Sequence, residues 1–103
     1  MINTQTLARP YAKAAFEFAS AAGRIDAWSG MLSLAAVAVD VPQVTELLKN
    51  PRLTSERKVQ TLIQLLGSDI DEAFRNFVST LGDNDRLDVL PTIRELFEEL
   101  KAE

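Results

Sequence analysis

Cysteine and histidine are both absent from the 103 residues. Their absence removes disulfides, thiolate nucleophiles, the usual zinc and iron–sulfur ligand sets, and the imidazole base of hydrolytic triads. Glycine is scarce: Gly23, Gly30, Gly67 and Gly82 are never clustered, so no phosphate-cradling loop is present. Basic clusters are missing too. Fifteen acidic residues against eleven basic ones leave a formal net charge of −4, which argues against nucleic acid as a partner. The most apolar stretch, Met31 to Val39, is broken by Ser33 and closed by Asp40. It falls short of the ~20 residues needed to span a bilayer, so no direct membrane insertion is expected. The opening Met1-Ile2-Asn3-Thr4-Gln5-Thr6 has neither the basic start and apolar run of a secretory signal nor the pattern of a transit peptide. Export is therefore not expected, and the lack of cysteine fits a reducing compartment.

What is there is a chain of one domain's length with 47% hydrophobic residues. A domain of this size buries about 65% of the surface its unfolded chain exposes, enough for a core without metals or cross-links. Helical punctuation recurs along the chain, and no stretch shows the period-two alternation of a half-buried strand. The pattern predicts an all-α fold, a compact six-helix bundle over residues 1–103. The first helix is expected from about Leu7 to Ala22, ending at Gly23, with Pro10 in its opening turn, where a missing N–H costs least. The second, from Ile25 or Asp26 to Val39, buries Ile25, Trp28, Leu32, Ala35 and Val39. Asp40 is expected to cap a short third helix that starts at Val41-Pro42, buries Val44, Leu47 and Leu48, and stops at Asn50-Pro51. Thr54 caps the fourth, with Val59, Leu62, Ile63 and Leu66 inward and Gly67 at its end. Asp69 and Glu72 have capping-box spacing for a fifth helix that buries Phe74, Phe77, Val78 and Leu81 and closes at Gly82. Asp88 is the preferred cap of the sixth over Asp85, placing Pro91 in the first turn. Leu90, Ile93, Phe97 and Leu100 then face inward, with Arg94, Glu95, Glu98, Glu99 and Lys101 toward water.

The first helix is unusual in carrying two apolar stripes. Ala8, Ala12, Ala15, Phe16 and Ala19 form one; Leu7, Tyr11, Ala14 and Phe18 form the other. A second stripe suits either a central helix covered on all sides or a groove that receives a partner helix. The fifth helix has a milder second face, Ala73, Asn76, Phe77 and Thr80, whose plainer reading is an ordinary boundary face of a bundle. The acidic turns Asp69-Ile70-Asp71-Glu72 and Asp83-Asn84-Asp85 invite a calcium site or a small carboxylate- or metal-dependent enzyme. Counting from Asp83, Asp88 stands where an EF-hand loop needs glycine and Arg94 where it needs glutamate. Helix capping explains these acids better, and neither a cofactor nor a catalytic group is assigned.

Two segments then carry a family resemblance. Ala8-Arg9-Pro10-Tyr11-Ala12-Lys13-Ala14-Ala15-Phe16 resembles the first helix of the delta subunit of bacterial F-type ATP synthases, the oligomycin-sensitivity-conferring protein family of mitochondria. Asn84-Asp85-Arg86-Leu87-Asp88-Val89-Leu90-Pro91, followed by Phe97-Glu98-Glu99-Leu100, is similar to the family's stretch between helices five and six, with Asp85 standing where the family usually has glycine. The exchange touches only the geometry of that turn, because glycine accepts positive φ more cheaply.

The resemblance implies the family's N-terminal six-helix domain, whose first and fifth helices form a groove for the N-terminal amphipathic helix of an alpha subunit. On this chain the groove residues would be Tyr11, Ala14, Phe18, Ala73, Asn76, Phe77 and Thr80. It further implies a non-catalytic stator component linking the catalytic head to the peripheral stalk, peripheral at the cytoplasmic face of the bacterial inner membrane. The family's C-terminal domain, which reaches toward the stalk b subunits, has no counterpart in these residues, implying part of a longer protein. A helical adaptor unrelated to ATP synthase would differ only in its partner.

Overall fold

The computed structural model describes residues 3–103; the reading of Met1-Ile2 lies outside them. Six α-helices follow in order: α1 (Thr4–Ala22), α2 (Ile25–Asp40), α3 (Pro42–Lys49), α4 (Ser55–Leu66), α5 (Glu72–Asp83) and α6 (Leu90–Ala102). One-turn 3-10 segments precede α5 at Gly67–Asp69 and α6 at Leu87–Val89, and no strand occurs among the described residues. The fold is all-helical, as the periodicity predicts. Its centre is α6, which packs against both α1 and α2, while α4 packs against α5.

The buried face of α1 is Ala8, Ala12, Ala15 and Ala19. Side chains this small allow a neighbouring helix to approach closely. The larger residues that fill the core come from α2 (Trp28, Leu32), α4 (Leu62), α5 (Phe74, Val78, Leu81) and α6 (Leu90, Ile93, Phe97). Leu96 is also buried, one turn beyond Ile93, while Leu100, expected inside, is half-buried.

Several expected boundaries move, each for a local reason. α1 begins a turn before Leu7 because Asn3 caps it, its side-chain oxygen accepting from the Thr6 N–H at 2.8 Å. Pro10 therefore lies inside the helix rather than in its opening turn. The missing N–H and the ring's clash with the preceding turn cost about 3 kcal/mol in an unsupported helix; here Ala8 and Ala12 on either side are sealed in the core. Gly23 ends α1 as expected, at φ 69°, with the Arg24 N–H returning to the Ala19 carbonyl at 2.8 Å.

Asp40 does not cap α3; it is the last residue of α2. Val41 is extended, as a residue before proline prefers, and the chain bends 81° into α3 with Pro42 in its first turn. The Thr45 hydroxyl donates to the Val39 carbonyl at 2.7 Å, satisfying an acceptor at the end of α2. Only Val44 of α3 is buried, and Leu47 and Leu48 are half-buried.

Thr54 caps α4 as expected, accepting from the Arg57 N–H at 3.1 Å, and Gly67 follows its end. Ile63 on α4 and Phe77 on α5, both expected inside, are half-buried. The cap of α5 is Asp71 rather than Asp69, which falls in the 3-10 turn; Asp71 accepts from the Phe74 N–H at 2.9 Å.

Gly82 does not close α5. It is buried inside the helix where α5 meets α4, and a Cβ there would run into the Val59 side chain. The turn falls instead at Asp85, with φ 58°, where the Arg86 N–H reaches back to the Leu81 carbonyl at 2.8 Å. Asp88 does not cap α6 either, since it lies in the 3-10 turn, but Pro91 does fall in the first turn. Glu98, expected in water, is half-buried and accepts from the Ser29 hydroxyl at 2.6 Å, fastening α6 to α2.

Candidate functional site

α1 and α5 are not among the closely packed helix pairs. Between them lies an open concavity of about 420 Å³, lined by Ala14, Ala15 and Phe18 of α1, Trp28 of α2, and Ala73, Asn76, Phe77 and Thr80 of α5. The second stripe of α1 and the second face of α5 thus meet on one surface. Of the residues expected there, Ala14, Phe18, Ala73, Asn76, Phe77 and Thr80 all line it. Tyr11 does not; it lies a turn before Ala14, half-buried and packed against the core.

The aromatic residue that sequence reasoning missed is Trp28, assigned only to the core stripe of α2. Its ring sits 5.5 Å from Phe18, 5.2 Å from Phe74 and 5.4 Å from Phe77. These tilted and edge-on contacts, the geometry aromatic pairs prefer, join the rings into one apolar cluster. Trp28 is only 2% exposed, whereas Phe18 is 51% exposed. The Trp28 indole N–H is buried with no acceptor among the described residues. Periodicity places Trp28 on an inward face, but no one-dimensional signal tells which other helices that face meets.

One end of the groove is tied. Arg24, just past the end of α1, donates to Asp71 at 2.8 Å, and the other carboxylate oxygen of Asp71 caps α5. A single aspartate therefore starts α5 and holds that start beside the end of α1. Both side chains are substantially exposed, so the pair contributes at most about 1 kcal/mol to stability.

A larger depression of about 580 Å³ lies elsewhere, where Asp40, Lys49, Lys58, Asp85 and Asp88 alternate with Val39, Leu48 and Leu87. None of the residues expected in the groove falls in it, although Asp85 and Asp88 of the acidic segment do. The acidic turns have structural roles, Asp71 as cap and Asp85 as turn. Among the described residues no three His, Cys, Asp or Glu side chains converge to hold a metal ion, and no charged side chain is buried. No single described helix is long and apolar enough to cross a membrane. The pair α2 and α3 reaches that composition only across its 81° bend, and much of α2 is in the core.

Comparison with known proteins decides the family. The model of the ATP synthase delta (OSCP) subunit matches residues 7–103. The chain belongs to this family. Curated relatives named ATP synthase subunit delta agree along its whole length, at 73% identity in Stutzerimonas stutzeri (strain A1501), 67% in Azotobacter vinelandii (strain DJ / ATCC BAA-1303) and 61% in Ectopseudomonas mendocina (strain ymp). The chain spans 58% of the length of each of these relatives. The delta-subunit resemblance stated from Ala8–Phe16 and Asn84–Pro91 therefore holds over essentially all of the chain.

Proposed function

We propose that residues 1–103 are the N-terminal domain of an ATP synthase stator subunit and act without catalysis. The domain grips the N-terminal amphipathic helix of an alpha subunit in the groove between α1 and α5. The observation that carries this reading is the groove's composition: Ala14, Ala15, Ala73, Phe18, Phe77 and Trp28 make a shallow apolar trough with only Asn76 and Thr80 as polar lining. Alanines leave room for a helix backbone, and aromatics supply the contact area that anchors helix-in-groove docking. Fully burying a phenylalanine side chain gains roughly 1.5–3 kcal/mol, and about half of that is still to be gained at Phe18. Attachment at the top of the catalytic head then lets the whole subunit resist rotor torque. The stalk b subunits are engaged through a C-terminal domain beyond this chain, and the assembly sits peripherally at the cytoplasmic face of the inner membrane.

The test is calorimetric titration with a synthetic alpha-subunit N-terminal peptide beside a scrambled control, followed also by Trp28 fluorescence. Saturable one-to-one binding by the native peptide alone is expected, with a fluorescence change because Trp28 lines the groove. Ala14→Glu is expected to weaken binding at least about tenfold while leaving the fold intact, since position 14 is exposed and a buried unpaired carboxylate in the complex is costly. Equal binding by the scrambled peptide, or full binding by Ala14→Glu, overturns the reading.

A further inference from the structure

The groove floor is neutral and apolar, but its borders are not. Positions three or four apart on a helix are neighbours on its surface. Glu17 follows Ala14 by three residues, Asp83 follows Thr80 by three, and Glu72 precedes Asn76 by four. Each carboxylate is therefore displaced by about 40–60° around its helix from a groove-lining residue. All three are exposed, and none takes part in either ion pair found among the described residues, Arg24 with Asp71 and Lys101 with Asp26.

The nearby cations offset them only in part. Arg24 is held by Asp71 at the tied end, and Arg75 is half-buried with its guanidinium donating to the Ile70 carbonyl at 3.3 Å. Lys13, four residues before Glu17, neighbours it on the surface of α1 but forms no ion pair with it and lies farther around the helix from Ala14 than Glu17 does. An apolar trough is thus bordered by one carboxylate on α1 and two on α5.

Resting on the groove reading above, we infer that this site selects by charge: it takes an amphipathic helix whose apolar face is bordered by lysine or arginine, and disfavours one bordered by acids. Apolar contact supplies the affinity, and the three carboxylates supply discrimination and orientation. Exposed pairs are individually weak, so the effect is a modest preference that salt abolishes, because the screening length falls from about 10 Å at 0.1 M salt to about 3 Å at 1 M.

The experiment uses two synthetic helical peptides with one shared apolar face, flanked by lysines in one and glutamates in the other. Both are titrated into the 103-residue chain and into a Glu17→Gln/Glu72→Gln/Asp83→Asn variant whose helicity matches the parent. The lysine-flanked peptide is expected to bind the parent chain about five- to tenfold more tightly at low salt. The preference should fall below about twofold at 1 M salt, and likewise in the variant. Equal affinities in the parent, or a preference that persists undiminished in the variant, overturn the charge inference. The groove reading still stands in that event if both peptides bind and Ala14→Glu blocks them. Binding of neither peptide at any salt overturns both.

Discussion

Phe97 and Phe18 each lie 5.5 Å from another aromatic ring, Phe16 and Trp28 respectively, yet Phe97 is fully buried and Phe18 is half exposed. The regions they occupy differ in the same way. On the core side of α1 an alanine face meets α6 and everything is enclosed. On the groove side an equally apolar face looks across a gap toward α5, with only Trp28 of α2 beneath. Apolar character alone does not decide burial; what decides it is whether another element of the same chain arrives to cover the face.

The sharpest way to break this contrast is to truncate both rings. Phe97→Ala leaves a core cavity and is expected to destabilise the domain by about 3–5 kcal/mol, read as a lower denaturant midpoint. Phe18→Ala removes a half-exposed ring and is expected to cost about 1 kcal/mol or less, with the helix-peptide affinity carrying the main loss. Equal destabilisation by the two would mean that the groove wall is as much a part of the core as Phe97 is.

A smaller effect tests close packing on the enclosed side. Gly82→Ala is expected to destabilise by about 1–3 kcal/mol despite alanine's better helix propensity, because its methyl meets the Val59 side chain. Pairing it with Val59→Ala should recover part of the loss; a stabilised Gly82→Ala would show that α4 and α5 yield freely. Smallest is Asp85→Gly at the positive-φ turn. It should stabilise by up to about 1 kcal/mol without altering peptide affinity, a small rise in melting temperature being the readout.

Much of the molecule was legible in one dimension. The fourfold spacing of Ala8 and Ala12 and the threefold step to Ala15 mark a helix face, and Thr54, Gly23 and Pro91 mark ends, because these signals act through bonds within one turn of the chain. Where two local signals competed, sequence reasoning chose wrongly. Asn3 took the cap of α1 and left Pro10 inside the helix, and Asp71 took the role expected of Asp69. Gly82 read as a terminator, although the close passage of Val59 explains it and only the packing of α4 on α5 shows that.

The candidate site divides the same way. Periodicity found the second faces of α1 and α5 from residues such as Phe18 and Phe77, leaving open whether a covered helix or a groove resulted. It placed Tyr11 with them and missed Trp28. A helix pattern reports which residues share a face, so the sequence by itself determined six helices, the cap Thr54, the ends at Gly23 and Gly67, and two surplus apolar surfaces. Which faces met, which stayed open, and that a tryptophan from a third helix would floor the gap were decided only by tertiary packing. Those relations depend on the mutual placement of segments remote in sequence, such as the Arg24–Asp71 pair, rather than on bonds within any one helix.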